Sequence, residues 1–186
     1  MRPQKVLDIE ILKGLTTVFR SKGYEGASLK DLSEATGLKK ASLYHRFPGG
    51  KKEMADAVLL HIHAWVDTHI FQPLLEEDTP PQHRLKEALS QIHTLYHGGD
   101  ETCILRALSM ETGIALFEDH IKNGMKEWVS SFHKIGIALG LSPDHAEKRA
   151  IQVLIDIQGS LIVAKGMKDL SIFETTLLHI ENTYLN

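Results

Sequence analysis

The chain contains little of what holds small secreted proteins or cysteine-rich metal modules together. Its 186 residues include a single cysteine, Cys103. One thiol excludes an intramolecular disulfide scaffold and a zinc module built on several cysteines. Six prolines over this length are too few for a loop-rich or fibrous protein. We therefore expect a globular protein from a reducing compartment, with Cys103 as a small buried residue rather than a redox sensor or nucleophile.

Long apolar segments are also scarce. Residues 1–7 are polar and lack the apolar stretch of a signal peptide. The longest uninterrupted apolar runs, such as residues 161–164, are far shorter than the ~20 residues that cross a bilayer. The sequence therefore predicts a soluble, cytoplasmic protein with no membrane partner.

Positive charge is low overall but unevenly distributed. A formal net charge of −3 argues against a nucleic-acid ligand, because such proteins are usually basic. Residues 1–52, however, carry 11 Lys and Arg against 5 Asp and Glu, a net of +6, and residues 53–186 carry a net of −9. The first segment thus suits an anionic partner, and the acidity of the rest discourages nonspecific contact with DNA.

The spacing of apolar residues predicts helices along nearly the whole chain. A first helix ends at Gly23, and Gly14 within it indicates a close helix crossing. Ser28 and Asp31 form a capping box that starts a second helix, which Gly37 ends. We predict an all-α protein of about nine helices: an N-terminal three-helix helix-turn-helix domain and a C-terminal helical bundle. The later helices are expected at about 39–47, 51–71, 82–97, 102–113, 115–139, 143–166 and 170–184.

The two short helices at residues 28–35 and 39–47 form a helix-turn-helix around Gly37. In this motif the N-terminal residues of the second helix meet base edges in the major groove. Its basic, hydroxyl and imidazole side chains suit phosphates and bases, and two further lysines lie at a helix start that favours phosphate. The alternative interpretation is that this short basic helix is only a solvated surface. The predicted DNA-binding residues are Ser28, Lys39, Lys40, Ala41, Ser42, Tyr44, His45, Arg46, Lys51 and Lys52.

The segment from Ile11 to Lys52 resembles the DNA-binding domain of the tetracycline-repressor family. The motifs F-x-x-x-G-Y, S-x-x-D-L-x-x-A-x-G-L and L-Y-H-x-F-P occur in order and at family spacing, and F-P-G-G-K resembles the multidrug- and antibiotic-responsive branch. The resemblance implies a homodimer that binds an operator palindrome and is released by a small hydrophobic effector. It also implies that Lys51 binds phosphate, although one inserted glycine lets Lys52 exchange roles with it. The implied domains are residues 1–50 for DNA and 51–186 for effector and dimerisation.

The effector pocket and the dimer interface are predicted from less specific signals. Aromatic, polar-tipped or adaptable side chains on the central helices suit an apolar pocket, and they equally suit plain core. The last two helices resemble the dimer bundle of the family, and the alternative is an intramolecular helix crossing. The pocket candidates are Trp65, His69, Tyr96, Met110, Phe117, Trp128 and Phe132. The interface candidates are Gly159, Ser160, Val163, Ile172, Thr176 and His179.

Catalysis, metals and cofactors are not expected. His93 and His97 have the spacing of a two-histidine metal site on a helix, but no third ligand is evident, and the same holds for His61 and His63. No G-x-S-x-G nucleophile motif is present, which argues against an enzyme. Two alternatives to the effector-responsive repressor remain: a helical small-molecule-binding dimer with little DNA binding, and a constitutive DNA-binding protein without an effector.

Overall fold

The computed structural model describes residues 4–186, with side chains from residue 8 onward, and within that range every regular element is helical. The predicted all-α fold is therefore confirmed. The α-helices are α1 (Gln4–Gly26), α2 (Leu29–Thr36), α3 (Lys40–Arg46), α4 (Gly50–Val66), α5 (Gln72–Leu75), α6 (Pro81–Leu95), α7 (Ile104–Ala107), α8 (Thr112–Leu116), α9 (Glu118–Ala138), α10 (Pro143–Met167) and α11 (Ser171–Leu185). A π-helical turn (Asp67–Phe71) joins α4 to α5, and a 3-10 turn (His97–Gly99) follows α6.

The chain divides into two compact units, each of which combines two separate stretches of sequence. The first unit comprises the residues up to Ala64 together with Ile104–Ile121. The second comprises Trp65–Cys103 and Lys122–Asn186. The first unit thus continues past residue 50 and includes a segment from the middle of the chain. The division of function at residue 50 stays a prediction.

Helices α1 and α2 cross closely in the first unit. A Cβ atom at Gly14 would lie 2.5 Å from the carbonyl oxygen of Ala35, so only glycine permits this approach. This confirms the crossing predicted from the glycine inside α1. Regular α1 geometry stops at Gly23, which has φ +67° and ψ −172°, as its sequence position predicted. The core beneath the crossing contains fully buried apolar side chains, namely Leu15, Phe19, Leu32 and Leu43.

The predicted helix at 102–113 is wrong, because the chain turns sharply within it. Helix α7 ends at Ala107, and Glu111 adopts φ +48° before α8 begins. The Thr112 hydroxyl and the Gly113 N–H both donate to the Glu25 Oε1 atom, at the end of α1. These contacts join residues over 80 positions apart in sequence, and the Gly113 N–H also donates to the Met110 carbonyl oxygen at 2.9 Å. They attach residues 104–121, which we call the mid-chain segment, to the first unit.

Aromatic side chains fill the second unit. Trp128 stacks with Phe132 at 6.1 Å between ring centroids, and Phe71 meets Trp128 edge to face at 5.4 Å. The Tyr184 hydroxyl donates to the Phe132 carbonyl oxygen at 3.2 Å, and burial raises the pKa of that hydroxyl. Buried Arg84 donates from Nη1 to the Leu74 carbonyl oxygen and so caps the end of α5.

Helix α10 qualifies the expectation that no segment spans a membrane. By length and composition it is apolar enough to cross one, with a mean hydropathy of 1.3 over an 18-residue window. One third of that window is buried, and a single such helix is weak evidence for a span. Its buried side chains form one face, which packs in the second unit: Ala146, Ala150, Val153, Ile157, Ser160, Leu161 and Ala164.

Candidate nucleic-acid interface

The start of α2 has the predicted capping box. The Ser28 Oγ atom accepts from the Asp31 N–H at 3.1 Å, and the Asp31 carboxylate accepts from the Ser28 N–H at 3.0 Å. The Lys22 Nζ atom also donates to Asp31, at 2.5 Å. Together, the Lys22 and Ser28 hydrogen bonds hold the pKa of the Asp31 carboxyl well below its usual range. Gly37 ends α2 in the left-handed conformation, φ +67°, and orients the following helix.

Helix α3 is anchored by one face and exposed on the other. Leu43 is fully buried and Phe47 nearly so, which fixes the helix against the first unit. Lys39 is the residue before the first turn, with extended backbone at φ −66° and ψ 150°. Tyr44 is 46% exposed. The remaining predicted contact residues on the exposed side are Lys40, Ala41, Ser42 and His45, which the structure brings together on one short helix.

The cations of α3 differ in availability. Among the described residues, neither Lys39 nor Lys40 forms an ion pair, and both are exposed. Arg46 instead pairs with Asp8 of α1, with 2.8 Å between Nη1 and Oδ1. Asp8 was not singled out from the sequence. Two lysines at the start of α3 are therefore open to an anion, while the charge of Arg46 is balanced within the protein.

Lys51 has internal partners that the sequence did not indicate. Its ammonium donates to the carbonyl oxygens of Tyr24 at 2.8 Å and Ala27 at 3.2 Å. It also lies 4.4 Å from the centroid of the Tyr24 ring, a cation–π contact. These contacts tie the start of α4 to the connection between α1 and α2. The predicted phosphate-binding role of Lys51 stays a prediction, and in this state its donors face protein oxygen atoms.

Lys52 also has partners within the protein. Its Nζ atom pairs with Asp56 Oδ2 at 2.7 Å and lies 5.5 Å from the centroid of the Phe117 ring in the mid-chain segment. The other oxygen of Asp56 is buried without a hydrogen bond among the described residues, and His120 Nε2 lies 3.8 Å from it. The helix start itself holds a carboxylate, because Glu53 Oε2 accepts from the Gly49 N–H at 2.6 Å. The Gly49 N–H is therefore not free for a phosphate in this state.

A shallow notch runs along the exposed side of α3. It has a volume of about 390 Å³ and is lined by Leu38, Ala41, Ser42, His45 and Arg46. Leu38, in the turn before α3, was not singled out from the sequence. Its position is set by the turn, because the Ser33 hydroxyl donates to its carbonyl oxygen and its N–H donates to Thr36 Oγ1.

The seven pocket candidates do not form one group. Met110 and Phe117 belong to the first unit, where Met110 is 58% exposed and Phe117 is buried against Tyr24. The other five belong to the second unit, in which Tyr96, Trp128 and Phe132 are buried core. Half-buried Trp65 stacks on exposed His69, with ring centroids 4.4 Å apart, beside the π-helical turn. The second unit also has a groove of about 590 Å³ between α9 and α10 that none of the seven lines.

The six interface candidates lie on α10 and α11. Val163 and His179 are exposed, Gly159, Ile172 and Thr176 are partly exposed, and Ser160 is buried, donating to the Ile157 carbonyl oxygen. Nothing lies within 4 Å of a Cβ atom built at Gly159, so this glycine does not serve an intramolecular crossing among the described residues.

The histidines with metal-ligand spacing do not share a helix. Helix α6 ends at Leu95, and His97 adopts φ +47° in the 3-10 turn beyond it. His93 faces Glu174 at 3.9 Å, while His97 faces Glu101 at 3.7 Å. The geometry therefore does not present the pair to one ion. Cys103 is a free, buried thiol, as predicted.

The second helix of a helix-turn-helix, exposed and with two lysines that form no ion pair among the described residues, is typical of a DNA-binding regulator. Residues 11–58 match the family model for bacterial regulatory proteins of the tetR family. This match supports a transcriptional regulator of this tetracycline-repressor family. This assignment confirms the resemblance read from the sequence, and with it a regulator rather than an enzyme.

Similar proteins cover between 64% and 94% of the chain. The HTH-type transcriptional regulator LmrA of Bacillus subtilis is 24% identical over 182 residues, 93% of this chain and 92% of that protein. The HTH-type transcriptional repressor KstR2 of Mycobacterium tuberculosis is 23% identical over 125 residues, 64% of this chain and 62% of that protein. A TetR transcriptional regulator from Legionella pneumophila has the same fold, with a TM-score of 0.79, 19% identity and coverage of 94% and 95% of the two chains.

Proposed function

We propose that the protein is a cytoplasmic, homodimeric repressor that binds a palindromic operator and is released by a small hydrophobic effector. The observation that carries the DNA-binding part is the exposed side of α3, with Lys39 and Lys40 unpaired among the described residues. Each copy inserts α3 in one major groove, so the half-site centres lie one helical turn or about 34 Å apart. Lys39 and Lys40 bind phosphate or guanine, Ser42, Tyr44 and His45 contact bases or phosphates, and small Ala41 permits close approach.

Secondary contacts flank α3. Exposed Ser28 lies at the start of α2, where its hydroxyl reaches a phosphate after exchanging its bond with Asp31. Lys52 reaches a phosphate from the start of α4 when it leaves Asp56. Arg46 and Lys51 act mainly through their internal contacts, with Asp8 and with the Tyr24 and Ala27 carbonyls, and so position the reading helix.

Dimerisation is supported by an apolar surface on α10. Ile151, Ile155 and Ile162 follow one another at helical spacing and are exposed, with Ile155 at 56%. Gly159 and Gly166 lie beside them with open space around both, which lets a second backbone come close. Val163, Ile172, Thr176 and His179 continue this side of α10 and α11. Contiguous exposed apolar residues of this kind are typical of protein–protein interaction sites.

The effector part is supported by the aromatic interior of the second unit. Phe71, Trp128, Phe132 and Tyr184 are in contact in a chain, and rings of this kind bind apolar ligands when they separate. Trp65 and His69 form a second stacked pair of rings, which lies just before Phe71 in the sequence. An effector must bind the DNA-incompetent state more tightly to lower operator affinity.

DNA binding is tested by mobility shift of full-length protein on the intergenic DNA next to its gene. We expect tight binding that weakens steeply with salt, since lysine–phosphate contacts release counterions. Protection of a pseudo-palindrome supports the proposal, and failure to shift any fragment at low salt overturns it.

Dimerisation is tested by Ile155→Lys, with size-exclusion chromatography and light scattering. We expect a monomer that loses operator binding, because a charge on this surface blocks association. Leu60→Lys is the matched control, since Leu60 is 57% exposed on α4 and outside the proposed interface. An Ile155→Lys protein that remains dimeric contradicts the interface.

Effector release is tested with hydrophobic compounds and tryptophan fluorescence. The chain has two tryptophans, so a Trp65→Phe protein reports on Trp128 alone. We expect at least one compound to change this fluorescence and to lower operator affinity. If the compounds that bind leave operator affinity unchanged, the constitutive DNA-binding alternative replaces this part of the proposal.

A further inference from the structure

The exposed side of α3 has two parts with different chemistry. Lys40 and Tyr44, one turn apart, form a ridge of large side chains. Beside the ridge lies the notch of about 390 Å³ described above. The ridge offers charge and a hydroxyl group, whereas the notch offers a recess with an apolar floor.

The floor of the notch consists of Leu38 and Ala41. Leu38 is half-buried, and two hydrogen bonds hold its backbone in the turn, from Ser33 Oγ at 2.5 Å and to Thr36 Oγ1 at 3.4 Å. Ala41 contributes a single methyl group in the first turn of α3. The apolar floor is therefore rigidly placed at the end of α3 that enters the major groove.

The polar side chains around the notch do not make it a guanine site. Guanine is read mainly by a bidentate arginine or lysine. Arg46, the one such cation lining the notch, pairs with Asp8 at 2.8 Å. Ser42 and His45 complete the lining with neutral or weakly basic groups. What the notch presents to DNA is an apolar contact from Leu38 and Ala41, framed by hydrogen-bonding groups.

We propose that this notch receives the 5-methyl group of a thymine in each operator half-site, which makes Leu38 and Ala41 specificity-determining residues. Thymine methyl is the apolar group that the major groove displays, and it projects from the base edge into the groove. A recess with an apolar floor fits such a projection, whereas a cytosine at the same position leaves the floor in contact with water. The inference rests on the proposed function, because it requires α3 to lie in the major groove.

The test begins with selection of binding sites from a randomised DNA duplex by the full-length protein. Each thymine of the selected half-site is then replaced by uracil in both halves, which removes only the methyl group. We expect one thymine position at which uracil weakens binding by about fourfold per half-site, the factor for one buried methyl group. Replacing cytosine at that position by 5-methylcytosine then recovers part of the affinity.

Protein variants locate the effect. Leu38→Ala and Ala41→Gly each reduce the thymine-to-uracil ratio toward one, because the contacts to the methyl group are lost. Lys40→Ala, on the ridge, is the control: it weakens binding to both duplexes and keeps the ratio at about fourfold per half-site. Circular dichroism shows which variants are folded. Should Leu38→Ala fail to fold, Ala41→Gly and the uracil series on the unchanged protein still decide the outcome.

The results separate the two levels of inference. A selection that enriches no DNA overturns the proposed function. A selection that yields an operator without any methyl-sensitive thymine overturns the notch assignment and leaves DNA binding intact. A methyl effect that persists in both Leu38→Ala and Ala41→Gly also overturns the assignment. A methyl effect lost in these variants and kept in Lys40→Ala supports it.

Discussion

Two pairs of consecutive lysines lie at two helix starts of the first unit, and the structure treats them differently. Lys39 and Lys40, at the start of α3, form no ion pair among the described residues. Lys51 and Lys52, at the start of α4, contact carbonyl oxygens, a carboxylate and two aromatic rings. Counting charges along the sequence gives the four side chains equal weight. Their partners determine which of them are available to a phosphate.

Removing the α3 pair has the largest expected effect. In a Lys39→Ala, Lys40→Ala protein the dimer loses four charged contacts, each contributing about 1 kcal/mol, so operator affinity falls by about a thousandfold. The slope of log affinity against log salt decreases by about four. Fluorescence anisotropy over a salt series measures both. Unfolding midpoints should stay unchanged, because neither side chain has an ion-pair partner among the described residues, and a destabilised variant contradicts this account.

The internal contacts of Lys51 are tested by the stability of a Lys51→Ala protein. Lys51→Ala removes a charged donor from two carbonyls and a cation–π contact, so we expect the free energy of unfolding to decrease by about 2 kcal/mol. Urea unfolding measures it. Lys52→Ala is the neighbouring control, since a partly exposed ion pair contributes less than about 1 kcal/mol. If Lys51→Ala keeps full stability and loses operator affinity, its role is the phosphate contact and not the internal one.

A fifth lysine, Lys22, pairs with Asp31, and this pair predicts a dependence of stability on pH. The pKa of the Asp31 carboxyl is lowered in the folded protein, so its stabilisation is present above the unfolded value of about 4 and is lost as pH falls below it. Thermal unfolding of the unchanged protein and of Asp31→Asn, from pH 7 to pH 3, measures the effect. The difference between the two midpoints should shrink in acid. A difference that does not vary with pH contradicts it.

The smallest effect comes from making the start of α4 resemble that of α3. Asp56→Asn removes the carboxylate that pairs with Lys52 at 2.7 Å and leaves the lysine without an anionic partner. We expect affinity for nonspecific DNA to rise, by about two- to fivefold for a partly exposed pair of less than about 1 kcal/mol. Filter binding at low salt measures this rise in affinity. The matched control is the double variant that carries both Asp56→Asn and Lys52→Ala. A rise that persists in the double variant assigns the effect to another group.

Local signals predicted most of the first unit. The Ser28–Asp31 capping box, the stop at Gly37 and the close crossing at Gly14 depend on interactions within a few residues or on the missing side chain of glycine. Each of these is confirmed. The periodicity of apolar residues likewise gave the helical class, because it reports which side of each helix is buried.

Local sequence signals could not predict the contacts between residues that are distant in sequence. The Glu25 carboxylate receives hydrogen bonds from the mid-chain segment, and Lys51 donates to carbonyls 24 and 27 residues away. Nothing in the local sequence marks these partners, since any Glu or Lys near a helix end looks the same. They account for the wrong helix at 102–113 and for the unforeseen engagement of Lys51. The effector and interface candidates stay predictions for the same reason, as they depend on packing between distant segments.

The attachment of the mid-chain segment has a consequence for how the protein is made. Tyr24 packs edge to face on Phe117, and a Cβ at Gly23 would lie 3.1 Å from the Ala107 carbonyl oxygen. During synthesis these partners leave the ribosome only after some eighty further residues have been added, which takes several seconds at about 5–20 residues per second. Over that interval the nascent first unit lacks part of its own packing, which is complete only once residue 121 has cleared the exit tunnel.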